Sequence, residues 1–407
     1  MTAQARRVAV TGMGVICALG NNRAETWNAV SQGRSGIRAI DSVDTSKLRF
    51  RNGAQISRYD PGQHFDANRT RSLDLFSQFA LIAAREALKD SGITLTPTLC
   101  ENAAIVTGSG MGGQSTQDAG FAKLYQRNQP RVDPLVIPRA MANAGASHIS
   151  MEFGITGPAY TVSTACSSSN HAIGQAFWMV RNGMVDLAIA GGSEAPFSFG
   201  FLKAWEALRI MSPDTCRPFS KDRRGLILGE GGAMLILEPL ATARARDATI
   251  HAEVMGFGMS SDAHHLTHLS SDGPLRAMRA ALRDALLLPE QVGYINAHGS
   301  GTLVNDPLET RAIRELFGAH ADRLAVSSTK SLHGHSLGAT GAMEAICTVL
   351  ALKNGLLPPT ANYTEPDPDC DLDVVPNRAR PAQVEYALSN SFAFGGLNAV
   401  LAFRAPQ

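Results

Sequence analysis

The sequence predicts an α/β protein in which one α/β unit occurs twice, and three observations carry that prediction. Short Val/Ile/Ala-rich runs alternate with segments of helical periodicity. The short runs are continuously apolar, as expected of strands covered on both faces. The order helix, strand, Gly loop, strand, polar loop, helix, strand, Gly-Gly is met twice along the chain.

Val8–Thr11 reads as a strand that turns at Gly12-Met13-Gly14. Gln78–Leu88 has helical spacing and a stop signal at Ser91-Gly92. Strand Ala103–Thr107 then enters the GSGMGG loop at 108–113, and strand Ala159–Ser163 leads through small polar residues into a helix at 171–181. Strands Leu187–Ala190 and Ala233–Leu237 complete the first round. The second has strand His251–Phe257, helix Pro274–Leu288, and strand Val292–Ala297 before the HGSGT loop at 298–302. Strand Leu324–Ser327 then precedes a helix at 338–353, and strands Glu385–Leu388 and Ala399–Phe403 follow. The halves, 1–250 and 251–407, meet without a Pro/Ser-rich linker and are expected to form one fused body. Stretches 114–147 and 196–226 interrupt the first half and are expected to lie over the site. The 38 glycines cluster where these strands end and read as tight turns.

Composition narrows the function. With 44% hydrophobic residues in 407 there is material for a large core, which excludes disorder. A net charge of +1 argues against a nucleic-acid binder. Arg6-Arg7 before Val8–Leu19 superficially resembles a signal peptide, but its glycines favour a strand and turn. No run reaches the roughly 18 apolar residues needed to span a bilayer. A soluble, cytoplasmic protein is expected, with no membrane partner. Six scattered cysteines without C-x-x-C spacing fit a reducing compartment.

Three stretches carry candidate chemistry. Cys166 in TVSTACSSSNHAIG stands where a strand gives way to a helix, and a thiol at a helix N-terminus is stabilised as thiolate. A buried inert thiol is the alternative. His298 follows a strand and precedes Gly299, which leaves the imidazole uncrowded, although a structural histidine fits equally. Lys330, His333 and His335 lie in STKSLHGHS. A lysine after an apolar strand needs a partner if buried, and Glu344 on the next helix can supply it. His333 reads as a solvated loop residue. The set of Cys166, His298, Lys330 and His335, each on an equivalent loop of a duplicated fold, is far more specific than any member.

Other signals are weaker. Gly12-Met13-Gly14 lacks the third glycine and the downstream acid of a dinucleotide site. The SDAHHLTH segment at 261–268 reads as a pocket rim rather than a metal site, so no metal is expected. Arg209, Arg217, Lys221, Arg223 and Arg224 form a basic stretch, either a solvated face or the seat of an acidic carrier protein.

With these motifs in order from VAVTGMG to NSFAFGG, the sequence resembles the β-ketoacyl-acyl-carrier-protein synthases, the elongating condensing enzymes of the thiolase-like superfamily. The resemblance implies two α/β halves in five layers, α-β-α-β-α. Cys166 matches the acylated nucleophile, with a lowered pKa, and the N–H groups of Cys166 and Phe394 match the oxyanion hole. His298 and His335 match the pair that binds the malonyl thioester oxygen. Lys330 and Glu344 match the pair that orients these histidines. Thr267 and Thr302 match residues that hold the pantetheine arm. Phe394 also matches the gate, and Met111 the lining of the acyl tunnel near a dimer partner. No cofactor is implied, since phosphopantetheine arrives on the carrier protein. The implied partners are acyl carrier proteins bearing acyl and malonyl groups, and a second copy or a related chain.

Three departures from the family pattern stand out. Leu226 stands where a Phe is usual beside the malonyl group, Ser300-Gly301 replaces Thr-Ser, and Leu397 replaces a Thr after the Gly pair. They point to a specialised relative making an unusual acyl chain. A silent chain-length partner would lack the nucleophilic cysteine, a thiolase would use two cysteines, and a carrier-binding scaffold would require an inert Cys166. The active member of a heterodimeric pair remains open beside the homodimer.

Overall fold

In the computed structural model, residues 5–267 and 269–407 are described. The first half holds β1 (Val8–Cys17), α1 (Leu75–Ser91), β2 (Ala103–Gly108), α2 (Gln114–Tyr125), α3 (Ala144–Phe153) and β3 (Ala159–Val162). It continues with α4 (Ser168–Arg181), β4 (Leu187–Glu194), α5 (Phe199–Ala207) and β5 (Gly231–Pro239). The second half holds β6 (Ala252–Ser261), α6 (Asp272–Ala285), β7 (Val292–Asn296), α7 (Asn305–Phe317) and β8 (Ala325–Ser327). It ends with α8 (Thr340–Asn354), β9 (Tyr386–Ala393) and β10 (Leu397–Arg404).

The ten strands are ordered β8-β7-β9-β10-β6-β1-β5-β4-β2-β3. β1 and β6 pair antiparallel at the centre through Val8–Val254, Ala9–Glu253 and Val10–Ala252. Outward from that pair the two halves run alike, β1-β5-β4-β2-β3 and β6-β10-β9-β7-β8. Their senses agree too: two antiparallel pairings, then two parallel ones.

Side-chain alternation along the strands assembles three cores from this arrangement. On β5, Met234 and Ile236 face Phe76, Phe79 and Leu81 of α1. Leu235 and Leu237 on the opposite face join a middle core with Ile173 and Phe177 of α4 and Ile346 and Val349 of α8. On β10, Leu401 and Phe403 enter that same middle core. Val400 and Ala402 turn outward to Met278 and Leu282 of α6. Helices, strands, helices, strands and helices therefore stack in five layers, the predicted α/β class.

Every predicted strand is present, but several run through the glycines read as turns. β1 continues past Gly12 and Gly14 to Cys17, with an irregular register between Val10 and Gly12. These glycines make room for α1: a Cβ at Gly12 would lie 2.1 Å from the carbonyl oxygen of Ala87, and one at Gly14 2.1 Å from that of Ala83. In the second half, Gly256 and Gly258 on β6 give α6 the same close approach.

The stretch 196–226 reaches the cavity that contains Cys166. The stretch 114–147 contributes no residue to that cavity, contrary to expectation, and leaves Phe121, Tyr125 and Ile137 exposed. Its helix α2 is anchored elsewhere, where Asp74 at the start of α1 accepts hydrogen bonds from the N–H and hydroxyl of Thr116. Among the described residues no helix is long and apolar enough to cross a membrane.

Candidate active site

Cys166 sits in the turn Ala165–Ser167 between β3 and α4, and Ala165 takes a left-handed φ of 49°. Hydroxyls around the thiol hold this turn. Ser167 Oγ donates to the carbonyl of Leu397 at 2.8 Å, and Ser168 Oγ to that of Ala165 at 2.6 Å. The equivalent turn of the second half, Leu337–Ala339 before α8, again begins with a left-handed residue, Leu337 at φ 46°. There the counterpart of the cysteine is Gly338, where a Cβ would lie 2.4 Å from the nitrogen of Gly110. The duplicated architecture thus has room for a nucleophile in one half only.

The second half brings its own side chains to that thiol. His335 Nε2 lies 3.1 Å from Cys166 Sγ, and His335 Nδ1 lies 2.9 Å from the Thr340 hydroxyl. The His298 ring stands 5.5 Å from that of His335, nearly perpendicular to it. Its loop is fixed by a buried carboxylate on α7: Glu309 accepts from the N–H of His298 at 2.8 Å and of Gly299 at 2.7 Å. Asp306, one turn earlier, accepts from the N–H of Phe219 and Gly301. Neither acid stands out in the sequence, although both lie in the helix directly after the HGSGT loop.

Lys330 and Glu344 are fully buried and paired, Nζ to Oε1 at 2.6 Å. Burial raises the Glu344 carboxyl to about 7 against the pull of Lys330. Burial, reinforced by the charge of Lys330, holds His298 and His335 well below their usual range, so both are neutral. The thiol departs from the expected direction. Burial pushes Cys166 up to about 11, outweighing the downward pull of Lys330 and of the Phe394 and Cys166 N–H groups. The resting pair is therefore a thiol beside a neutral imidazole.

A cavity of about 420 Å³ contains Cys166, His298, His335 and Phe394 together with Leu226, Thr267 and Thr302. Met111 does not line it and is largely exposed on the isolated chain. Lys330 and Glu344 lie behind the cavity, not on its wall. His333, expected in solvent, is buried: Nδ1 meets the Gly334 carbonyl and Nε2 the Thr329 hydroxyl, and its pKa falls to about 3. The segment 261–268 forms part of the rim through Thr267; His268 lies outside the described residues. No metal-binding group of acids, histidines and cysteines occurs among the described residues.

The basic stretch is not one face. Arg217 pairs with Asp214 and Asp222, Lys221 with Glu365, and Arg223 with Asp367. Arg209 and Arg224 form no ion pair among the described residues, and both are exposed while lining the cavity. Trp205, Ile210, Leu303 and Val304, not singled out from the sequence, complete an apolar part of the wall.

Comparison with known proteins places the whole chain in one family. The family model described as beta-ketoacyl synthase, N-terminal domain, matches residues 5–243, and the corresponding C-terminal domain matches residues 251–364. The chain is 47% identical to Nodulation protein E of Rhizobium sp. (strain N33), over 98% of this chain and 99% of that one. It is 41% identical to the 3-oxoacyl-[acyl-carrier-protein] synthase 2 of Coxiella burnetii (strain RSA 493 / Nine Mile phase I), over 97% and 98% respectively. The solved structure of the ishigamide ketosynthase/chain length factor superposes with a TM-score of 0.94 at 37% identity, covering 99% of this chain and all of that one.

Proposed function

The chain belongs to the β-ketoacyl synthase family, and on that premise we propose that it is a 3-oxoacyl-[acyl-carrier-protein] synthase extending a Cys166-bound acyl chain by two carbons. The observation that carries the reading is the Cys166 thiol 3.1 Å from neutral His335, whose ring stands 5.5 Å from that of His298.

The chemistry follows from these groups. His335 Nε2 accepts the thiol proton as sulfur attacks the acyl thioester, and that proton passes to the departing pantetheine sulfur. The N–H groups of Cys166 and Phe394 hold the oxyanion that develops. Malonyl-carrier protein then places its thioester oxygen against His298 and His335. Two neutral imidazoles donate hydrogen bonds to the enolate oxygen as carbon dioxide leaves. The Thr340 hydroxyl can accept from or donate to Nδ1, so it satisfies His335 in either tautomer. The carbanion attacks the acyl–Cys166 carbonyl, the sulfur leaves and takes up a proton, and the 3-oxoacyl chain departs on the carrier. No resident cofactor takes part, because phosphopantetheine comes with the substrate.

Arg209 and Arg224 are the residues of the basic stretch left for an acidic carrier protein. Leu226 in the cavity, and the 47% identity to a nodulation protein, support an unusual acyl chain as substrate. The match to a ketosynthase/chain length factor structure favours a second arrangement, in which this chain is the active member of such a pair.

Intact-mass analysis after exposure to carrier proteins loaded with different acyl chains tests the reading. An acyl adduct absent from Cys166→Ala is expected, followed by a two-carbon extension on adding malonyl-carrier protein. No adduct from any chain would overturn it.

A further inference from the structure

Trp205 lies on α5, in the stretch that covers the cavity, and lines the cavity with Phe394. The two rings are nearly parallel, with centroids 6.4 Å apart and 16° between planes, an offset stack. Trp205 also meets Phe201 edge-on at 6.2 Å. Phe201 is buried with Phe197, Leu226 and Leu337. α5 is also tied down at both ends, by Gly200 N–H on Asp118 at 2.9 Å and by Arg49 N–H on Glu206. Trp205 therefore stands on a fixed base.

Phe394 has no such base of its own. It begins the short link between β9 and β10, followed by Gly395 at φ 82° and Gly396 at φ 69°. Glycines in that region allow the chain many paths. The link is held through backbone bonds from Gly395 N–H to the Leu266 carbonyl at 2.7 Å and from Gly396 N–H to that of Ala393 at 3.0 Å. Phe394 shares the cavity with Cys166, and its N–H draws the thiol's pKa down against burial. The ring and this N–H belong to one residue, so what fixes the ring also fixes the donor.

We propose that Trp205 is a positioning residue for the condensation, stacking on Phe394 and thereby holding the Phe394 N–H at the Cys166 sulfur. The proposal rests on the synthase reading, and the test separates the two. Single-turnover acylation by acyl-carrier protein is measured for wild type, W205A, W205L, W205F, F394A and W205A/F394A, with melting temperatures alongside. An aromatic pair of this kind is worth about three- to tenfold in rate. W205A is expected to slow acylation by that factor, with half-saturation by the carrier substrate changed less than about twofold on the same scale. W205L, which keeps bulk but no flat ring, should behave like W205A even if W205A folds poorly, and W205F should restore most of the rate. The double variant should be no slower than F394A, since the stack is lost only once. A W205L rate equal to wild type, or losses that multiply in the double variant, overturns the role of Trp205. A wild-type enzyme that takes no acyl group overturns the synthase reading itself and this inference with it.

Discussion

Lys330 shows how one buried charge sets several acid–base states at once. It helps keep His298 and His335 unprotonated, and it pulls the Cys166 thiol back from the full effect of burial. Replacing it with methionine, of similar bulk, removes both influences while Glu344 can neutralise by protonation from its value near 7. The histidine pKa values then rise, so the acid limb of malonyl decarboxylation moves to higher pH. The thiol pKa rises as well, so alkylation of Cys166 by iodoacetamide at pH 8 slows. Lys330→Met is thus expected to move the acid limbs of both half-reactions, decarboxylation and thiol attack, to higher pH. A decarboxylation profile and an alkylation rate matching wild type would sink that account. The residues themselves were legible because Cys166, His298 and Lys330 each follow an apolar strand. The direction of the thiol's shift was not, because it depends on how much protein lies over the helix N-terminus. His333 misled for the same reason: a Gly-flanked loop histidine looks solvated until the chain closes over it.

At the scale of elements, glycine was the ambiguous letter. A pattern such as Gly-x-Gly at a strand end fits a turn as well as a strand pressed against a helix, and only the position of the helix decides. α1 crosses β1 so closely that Gly14 has no room for a methyl group beside the Ala83 carbonyl. Gly14→Ala is therefore expected to cost about 3 kcal/mol, the upper end of overpacked core substitutions. Gly154, after α3, differs in both respects: it has a left-handed φ of 66°, which Gly14 lacks, and nothing lies within 4 Å of a Cβ there. Gly154→Ala should cost only about 1 kcal/mol, the strain of the backbone alone. Urea unfolding of the two variants checks the contrast, and a loss at Gly14 no larger than that at Gly154 would overturn the account from helix contact. Trp205 was invisible at this scale because nothing in an aromatic on a helix says that its neighbour will be a loop nearly 190 positions away.

For the whole molecule, duplication explains why the site needs both halves, and the same topology places a strand of the first half at the edge of the sheet. The nucleophile comes from the β3–α4 turn and the histidines from the loops after β7 and β8, so the shared middle core must form before they meet. β3 ends the ten-stranded sheet. Its inward carbonyls belong to Pro158 and Val162, which accept from Ile105 and Ser109, so the alternation of the ladder points the Thr161 N–H toward the free edge. Tyr160 on that strand and Met151 on α3 are exposed. An uncovered edge flanked by apolar side chains is a pairing surface. Light scattering of the purified chain is expected to give twice the mass of one chain. Thr161→Pro should reduce it to a single chain, because proline removes the outward N–H and is tolerated on an edge whose N–H faces out. A chain that stays single until a related chain is added would instead favour the ketosynthase/chain length factor arrangement, with the same edge as its seam. If wild type and Thr161→Pro have the same mass in both settings, the seam lies elsewhere, and the exposure of Met111 then needs another cover.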